Sequence, residues 1–183
     1  MFIVSVYFKV AFALITVGLV LQVVGFAFPY WFSYSGLNGG LWQTCSDSYE
    51  RLNLERCQQN YVSTGVGAAR AFSAIALILF VVLVVLLLIY WCQCPRSDLI
   101  LAAIIISFIT AACVFIGIIC WVSDISRSLS WAFYACVIAG ILAVIGGILL
   151  IPERRIIVIG RTTTGGGGTA IRTVTTTRTV TVR

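Results

Sequence analysis

Residues 39–45 read GGLWQTC, and this stretch lies in a polar segment between two long apolar runs. A second cysteine, Cys57, follows before the chain becomes apolar again. Tryptophan is a large apolar anchor that loses little conformational freedom when it is buried. Gly39 and Gly40 permit a tight or positive-φ backbone in front of it. The stretch therefore predicts a small folded cap between the apolar runs.

The composition indicates that the rest of the chain is surrounded by lipid. Of the 183 residues, 61% are hydrophobic and 10% are charged, and the mean hydropathy is +1.08. Soluble domains are roughly half apolar and about a quarter charged, so a soluble fold could not bury this much apolar surface. The chain contains no histidine, the commonest general base and metal ligand. We therefore expect neither an enzyme nor a bound metal or cofactor.

Four segments without acidic or basic residues are long enough to span a bilayer, which takes about 20 residues each. They are residues 10–28, 71–91, 99–122 and 131–151. A cleaved signal peptide is the alternative for the first, but the run is long and its end is a poor cleavage site. The sequence predicts a membrane domain of residues 1–151 and a basic, Thr- and Gly-rich tail of residues 152–183, which we expect to be disordered.

The basic residues predict the orientation of these spans. The tail contains six arginines and one acid, Glu153, and so carries five of the six net positive charges. Basic segments stay in the cytoplasm, and an even number of spans places both termini there. Residues 30–70 then form an extracellular loop, and residues 123–130 form a short second turn outside. We expect a multi-pass protein of the plasma membrane that does not bind nucleic acid.

This topology places Cys45 and Cys57 outside the cell, where disulfides persist. They are the only cysteines in the extracellular loop, so one intramolecular bridge is available there. It would close a loop of about a dozen residues and remove about 3 kcal/mol of freedom from the unfolded chain. Two free thiols are the alternative.

The loop resembles that of a known family, the claudins. The pattern W…GLW…C…C…R is similar to the claudin signature, most of which is shared by the peripheral myelin, epithelial membrane and calcium-channel γ proteins. Here it consists of Trp31, Gly40, Leu41, Trp42, Cys45, Cys57 and Arg70. The resemblance covers nearly everything up to Ile151. It implies a left-handed four-helix transmembrane bundle carrying a small extracellular antiparallel β-sheet, with the cysteines bridging two strands. By residue type, 31–34 and 61–63 are the better strand candidates.

The resemblance implies a protein of cell–cell contacts, such as tight junctions, that forms a paracellular barrier or adhesive contact and self-associates in the membrane or across cells. The candidates for lining a pore or contact are Asp47, Glu50, Arg51, Glu55 and Arg56. An auxiliary, γ-subunit-like or membrane-organising protein that modulates a channel or receptor is the alternative. The GLW signature and the lack of an Asn-x-Ser/Thr sequon in the loop favour the first, and the short second turn favours the second. The terminal Thr-Val-Arg fits an apolar carboxylate pocket poorly, so a PDZ scaffold is not an expected partner.

Small residues recur every four positions in the last two spans, which is typical of close helix–helix contact in lipid. They are Ala103, Ser107 and Ala111 in the third span and Ala135, Ala139, Ala143 and Gly147 in the fourth. The alternative is that small residues are simply common in membrane helices. The polar residues Thr16, Gln22 and Thr110 are expected to bond a neighbouring helix or their own backbone.

The cytoplasmic side offers two further candidate features. Cys92 and Cys94 lie at the membrane edge and are either palmitoylated or inert. The tail is a solvated disordered segment, an electrostatic attachment to anionic lipid, or a strand that joins a partner's sheet. The remaining cysteines, Cys113, Cys120 and Cys136, are expected to be small buried apolar residues.

Overall fold

The computed structural model describes residues 5–46, 56–59, 63–92, 97–124 and 129–164. These residues contain four long helices, α1 (Val6–Ala27), α2 (Thr64–Cys92), α3 (Ser97–Asp124) and α4 (Trp131–Thr164). Each is long and apolar enough to cross a membrane. The prediction of four apolar spans is confirmed, and it indicates a multi-pass membrane protein.

Local signals set both ends of α1. At its start the Ser5 hydroxyl accepts a hydrogen bond from the backbone N–H of Phe8 at 3.4 Å, which caps the helix. At its end Phe28 is extended, with φ −87° and ψ 141°. The residue before a proline is disfavoured in the helical region, and Pro29 follows Phe28, so α1 stops at Ala27.

Two helices extend past the predicted ends of their spans. α2 begins at Thr64, inside the segment predicted as the loop, residues 30–70, and the Ser63 hydroxyl accepts from the N–H of Val66 at 3.3 Å. The tail predicted to be disordered from residue 152 is helical as far as Thr164, with Pro152 inside α4. Arginine, glutamate and isoleucine after the proline tolerate a helix well enough to continue it. Residues 165–183 lie outside the described part of the chain.

A small antiparallel sheet lies between α1 and α2 in the chain, as the resemblance implied. Its strands are β1 (Phe32–Tyr34), β2 (Leu37–Gly39), β3 (Gln43–Ser46) and β4 (Arg56–Gln59), in the order β1-β2-β3-β4. The turn between β1 and β2 has two positive-φ residues, Ser35 at 47° and Gly36 at 76°. Such a pair matches the twist of a two-residue hairpin. Of the predicted strand candidates, residues 31–34 coincide with β1, whereas residues 61 and 62 lie outside the described residues and Ser63 is in no strand.

The connection between α3 and α4 lies beside the sheet. Leu129 forms a single antiparallel bridge with Phe32 of β1. The backbone N–H of Ser130 donates to the carbonyl of Trp31 at 2.9 Å. Leu129 and Ser130, at the end of the short second turn, therefore lie against β1.

Buried side chains form two apolar clusters. The first fills the interior of the bundle, with Phe8, Phe80 and Leu150 among its fully buried members. The second joins the sheet to the nearby helix ends through Trp31 and Trp121. Within the bundle, α1 packs most extensively on α4, and α2 on α3. The sheet is thus packed directly on one end of the bundle.

The predicted small residues lie inside the bundle. The six alanines and serines of the two stripes are at most 8% exposed, and Gly147 is buried as well. The Ser107 hydroxyl donates to the carbonyl of Ala143 at 2.6 Å. A methyl group at Gly147 would come 3.1 Å from the Ser107 Oγ atom. The backbones of α3 and α4 therefore approach closely at this point.

The polar residues within the spans are bonded in two ways. Thr16 and Thr110 donate to the backbone of their own helices, at 2.8 and 2.7 Å. The Gln22 amide reaches across to α2 and donates to the carbonyl of Ser73 at 3.5 Å. Cys136 is a buried free thiol, and Cys113 and Cys120 are half-buried free thiols.

Candidate functional site

Residues of the GLW signature meet where the sheet rests on the bundle. We define the junction cluster as Trp31, Leu41, Trp42 and Arg70. Trp31 and Leu41 are fully buried, whereas Trp42 is 44% exposed. Trp31 precedes β1, Leu41 and Trp42 lie between β2 and β3, and Arg70 is in α2. Three separate parts of the chain thus contribute to one site.

Trp31 is the buried anchor of the junction cluster. Its indole Nε1–H donates to the carbonyl of Gly25 in α1 at 2.5 Å. Its ring meets those of Trp121 in α3 and Phe133 in α4, with centroids 5.0 and 5.9 Å apart. Both ring pairs have the tilted or edge-on geometry that aromatic side chains favour. One side chain therefore contacts three helices at the base of the sheet.

Trp42 makes the matching contact on the exposed side of the site. Its indole Nε1–H donates to the carbonyl of Phe26 at 3.0 Å, and its ring meets the Phe26 ring edge-on at 5.2 Å. The last four carbonyls of a helix have no partner within the helix. Because α1 ends at Ala27, Trp31 and Trp42 supply donors for two of those carbonyls. The two tryptophans of the signature thus act as side-chain caps for α1.

Arg70 holds the same segment from the side of α2. Its Nε–H donates to the carbonyl of Leu41 at 2.5 Å. Its guanidinium carbon lies 5.3 Å from the centre of the Trp42 ring, within the range of a cation–π contact. The GLW segment is therefore clamped between the end of α1 and the start of α2.

Gly40 is required by a close backbone approach and not by an unusual dihedral angle. A Cβ atom there would lie 2.5 Å from the Cα of Pro29 and 2.7 Å from the carbonyl oxygen of Phe28. Those are backbone atoms that cannot swing aside. At Gly39 an added Cβ would collide with the ring of Phe32. Neither glycine has a positive φ, so of the two predicted alternatives the tight backbone, and not the positive φ, describes this site.

The two cysteines of the signature are placed opposite each other. In the pairing of β3 with β4, the Cα of Cys45 is the direct partner of that of Cys57. Cys45 is 7% exposed, and the Cys57 side chain lies outside the described side chains. The free thiols among the described residues do not include Cys45 and are Cys92, Cys113, Cys120 and Cys136.

The charged residues predicted to line a pore or contact lie mostly outside the described residues, namely Asp47, Glu50, Arg51 and Glu55. Arg56 lies in β4, with its Cα paired with that of Ser46. The described residues therefore bring together the junction cluster but not the candidate lining.

The opposite end of the bundle contains one residue that sequence reasoning missed. Glu153, assigned to the tail, is 6% exposed and accepts hydrogen bonds from Ser5 and Tyr90. Its burial could have been predicted from the helical spacing of Ala143, Leu150 and Glu153, which places Glu153 on the same buried stripe of α4. Nearby, Cys92 is an exposed free thiol, and Cys94 lies outside the described residues.

The junction cluster can fix the sheet on the bundle and present a partly exposed indole and guanidinium to a partner. Among the residues that the structure describes, no group of three His, Cys, Asp or Glu side chains could hold a metal ion. No protein-family model matches the chain, and no curated protein matches it either.

Proposed function

We propose that the chain is a claudin-like integral membrane protein of cell–cell contacts. In this proposal the sheet faces the outside of the cell and contributes to a paracellular barrier or to adhesion. The observation that carries the proposal is the junction cluster. Trp31 and Trp42 bond to the end of α1, and Arg70 of α2 donates to the Leu41 carbonyl, so residues from three parts of the chain attach the sheet to the bundle. A recognition surface must be held rigidly to work, and this attachment provides that rigidity.

The proposal includes a disulfide between Cys45 and Cys57. Their positions as direct partners on neighbouring strands support it, as does the absence of Cys45 from the described free thiols. A bridge here would connect β4 to β3, while β3 is held through the GLW segment to α1 and α2. It would stabilise a sheet whose strands are only three or four residues long.

The orientation in the membrane is also part of the proposal. Aromatic residues are favoured at the two membrane–water interfaces. Beside the sheet, Phe28, Trp131 and Tyr134 are each about half exposed, and at the other end so are Tyr7 and Trp91. These two levels support a bundle that spans the bilayer with the sheet on one side. The basic residues at the other end support placing that end in the cytoplasm, and the resemblance supports a left-handed bundle in the plasma membrane.

An auxiliary or membrane-organising role is the second candidate, and one observation favours it. Only residues 125–130 connect α3 to α4, and Leu129 bridges to Phe32 at the side of β1. A connection of six residues is short, and its end lies against β1 at Leu129. Claudin-like contact across cells draws on a longer second loop. A protein without one would suit lateral binding to a channel or receptor through its helices.

Expression in cells without junctions separates the two functions. The proposed contact function predicts enrichment where two expressing cells touch and, when the chain is expressed in an epithelial monolayer, a changed transepithelial resistance. The variant Cys45→Ser/Cys57→Ser keeps the helices but removes the proposed staple, so it should reach the membrane and lose that enrichment. Uniform surface distribution of the native chain, with co-purification of a channel or receptor, would favour the auxiliary role instead.

A further inference from the structure

The end of the bundle away from the sheet contains a buried carboxylate that ties three helices together. The Tyr90 hydroxyl, in the last turn of α2, donates to Glu153 Oε1 at 3.1 Å. The Ser5 hydroxyl, at the N-cap of α1, donates to the other carboxylate oxygen. Glu153 itself belongs to α4 and is 6% exposed. The end of the apolar span of α4 is therefore attached to two neighbouring helices.

This arrangement keeps the carboxylate of Glu153 inside the bundle, while the arginine that follows it is at the surface. Residues 154–183 contain no acid, so Glu153 is the only carboxylate side chain that α4 could offer its arginines. Its two oxygens are occupied by hydroxyl groups inside the bundle, whereas Arg154 is exposed. The carboxylate is thus bonded toward α1 and α2, while the exposed Arg154 beside it adds positive charge at the surface.

That segment, residues 154–164, is named here the α4 extension. The part of α4 suited to crossing the membrane ends at Arg154, and the helix continues to Thr164. Arg154 and Arg161 are seven residues apart in the sequence, about two helical turns. Between Arg155 and Arg161 the sequence is IIVIG. A helix that combines basic residues with an apolar run is suited to the boundary between headgroups and acyl chains.

Pro152 is a point at which α4 can bend and so bring the extension to that boundary. Proline has no N–H, so the carbonyl of Ile148 receives no helical hydrogen bond from position 152, and a helix bends most readily at such a place. Without a bend, the apolar run would extend about 8 Å beyond Arg154 into water at 1.5 Å per residue. Lying along the surface would keep those residues in contact with lipid.

We propose that the α4 extension is a binding site for the phosphate-bearing headgroups of anionic phospholipids. Guanidinium groups bind phosphate oxygens through paired, charge-assisted hydrogen bonds. Each basic residue held near an anionic surface strengthens attachment about fivefold. The site does not depend on the contact function of the sheet, because it uses the other end of the molecule.

The test measures which lipids the full-length chain retains. The purified protein in neutral detergent is titrated with phosphatidylserine and, separately, with phosphatidylcholine, and bound lipid is counted by native mass spectrometry. The variant Arg154→Gln/Arg155→Gln/Arg161→Gln should bind phosphatidylserine about 100-fold more weakly, with phosphatidylcholine binding unchanged. The matched control Arg172→Gln/Arg178→Gln/Arg183→Gln removes the same charge from the distal tail and should change binding less than about twofold.

A single variant keeps the test valid if the triple variant folds poorly. Arg161→Gln lies two turns beyond the apolar span and should weaken phosphatidylserine binding about fivefold. The proposal is overturned if the native chain shows no preference for phosphatidylserine over phosphatidylcholine. It is also overturned if the distal-tail control weakens binding as much as the triple variant does, because attraction would then follow net charge and not this site.

Discussion

At the scale of single residues, Trp31 and Trp42 form the same kind of hydrogen bond, one in buried and the other in exposed surroundings. Each indole donates to a carbonyl in the last turn of α1, Trp31 from the buried side and Trp42 from the exposed side. Losing a hydrogen bond costs more where water cannot replace it. The junction cluster should therefore depend more strongly on Trp31.

Replacing each tryptophan with phenylalanine tests this difference. Trp31→Phe keeps an aromatic ring but leaves the Gly25 carbonyl without its donor, and should lower the free energy of unfolding by about 1–3 kcal/mol. Trp42→Phe should cost less than about 1 kcal/mol, because water can reach the Phe26 carbonyl. Thermal unfolding of both variants in one detergent gives the comparison. Equal losses would contradict the assignment of Trp31 as the buried anchor.

Gly40→Ala tests the close approach at the GLW segment. The new methyl group would meet the backbone of Pro29 and Phe28, so the segment must shift, at a cost of about 1–3 kcal/mol. Gly117→Ala is the matched control, because its methyl group would meet no atom closer than 3.3 Å. Denaturation in detergent should show a loss of stability for Gly40→Ala that clearly exceeds that of the control. Similar behaviour of the two variants would argue against the observed packing.

Arg70→Gln removes the donor to the Leu41 carbonyl and the cation beside Trp42. Hydrogen bonds to charged groups contribute about 1.5–3 kcal/mol, so a loss near the lower value is expected at this half-buried site. Hydrogen exchange of the backbone amides between β2 and β3 should become faster, since one side of the clamp is gone. Unchanged exchange there would show that Arg70 does not hold the segment.

At the scale of elements, the contact between α3 and α4 depends on a hydroxyl that crosses between helices. Ser107→Ala removes the bond to the Ala143 carbonyl and should cost about 0.6 kcal/mol, and no more than about 1.7. Thr110→Val is the matched control, because its equally buried hydroxyl bonds only to its own helix. Unfolding in detergent should rank Ser107→Ala as the more destabilising change, and the reverse order would refute the interhelical role.

The elements that the sequence predicted best are those whose signals are local. Four uninterrupted apolar runs identify four spans, because length and the absence of charge suffice. Strands β2 and β3 escaped prediction because LNG and QTCS contain almost no β-branched or aromatic residues, and such strands form through pairing with their neighbours. The extension of α4 was missed because Pro152 normally indicates a helix end.

For the junction cluster, the residues could be identified from the sequence, but the contacts between distant parts of the chain could not. The resemblance named Trp31, Leu41, Trp42 and Arg70 from the sequence alone. Their contacts could not be predicted, because they depend on which backbone carbonyls remain without a helical partner at the end of α1. They also depend on where those carbonyls lie relative to α2. The burial of Glu153 likewise depends on Ser5 and Tyr90, which are far from it in the chain.

At the scale of the whole molecule, the two ends of the bundle have different characters. One end bears a packed sheet secured by tryptophans and an arginine, and the other bears a buried carboxylate followed by a basic helix. The bundle between them exposes mainly isoleucine, valine and leucine, which suits lipid. This polarity underlies both the proposed contact function and the proposed lipid site.

The central claim is that the sheet is an oxidised cap on the outside of the cell. It is tested most directly by labelling thiols on intact cells with an impermeant reagent, then locating the label by mass spectrometry. The account predicts that Cys45 and Cys57 react only after an impermeant reductant has been added. Labelling of both without reduction, or only after the membrane has been permeabilised, would contradict it.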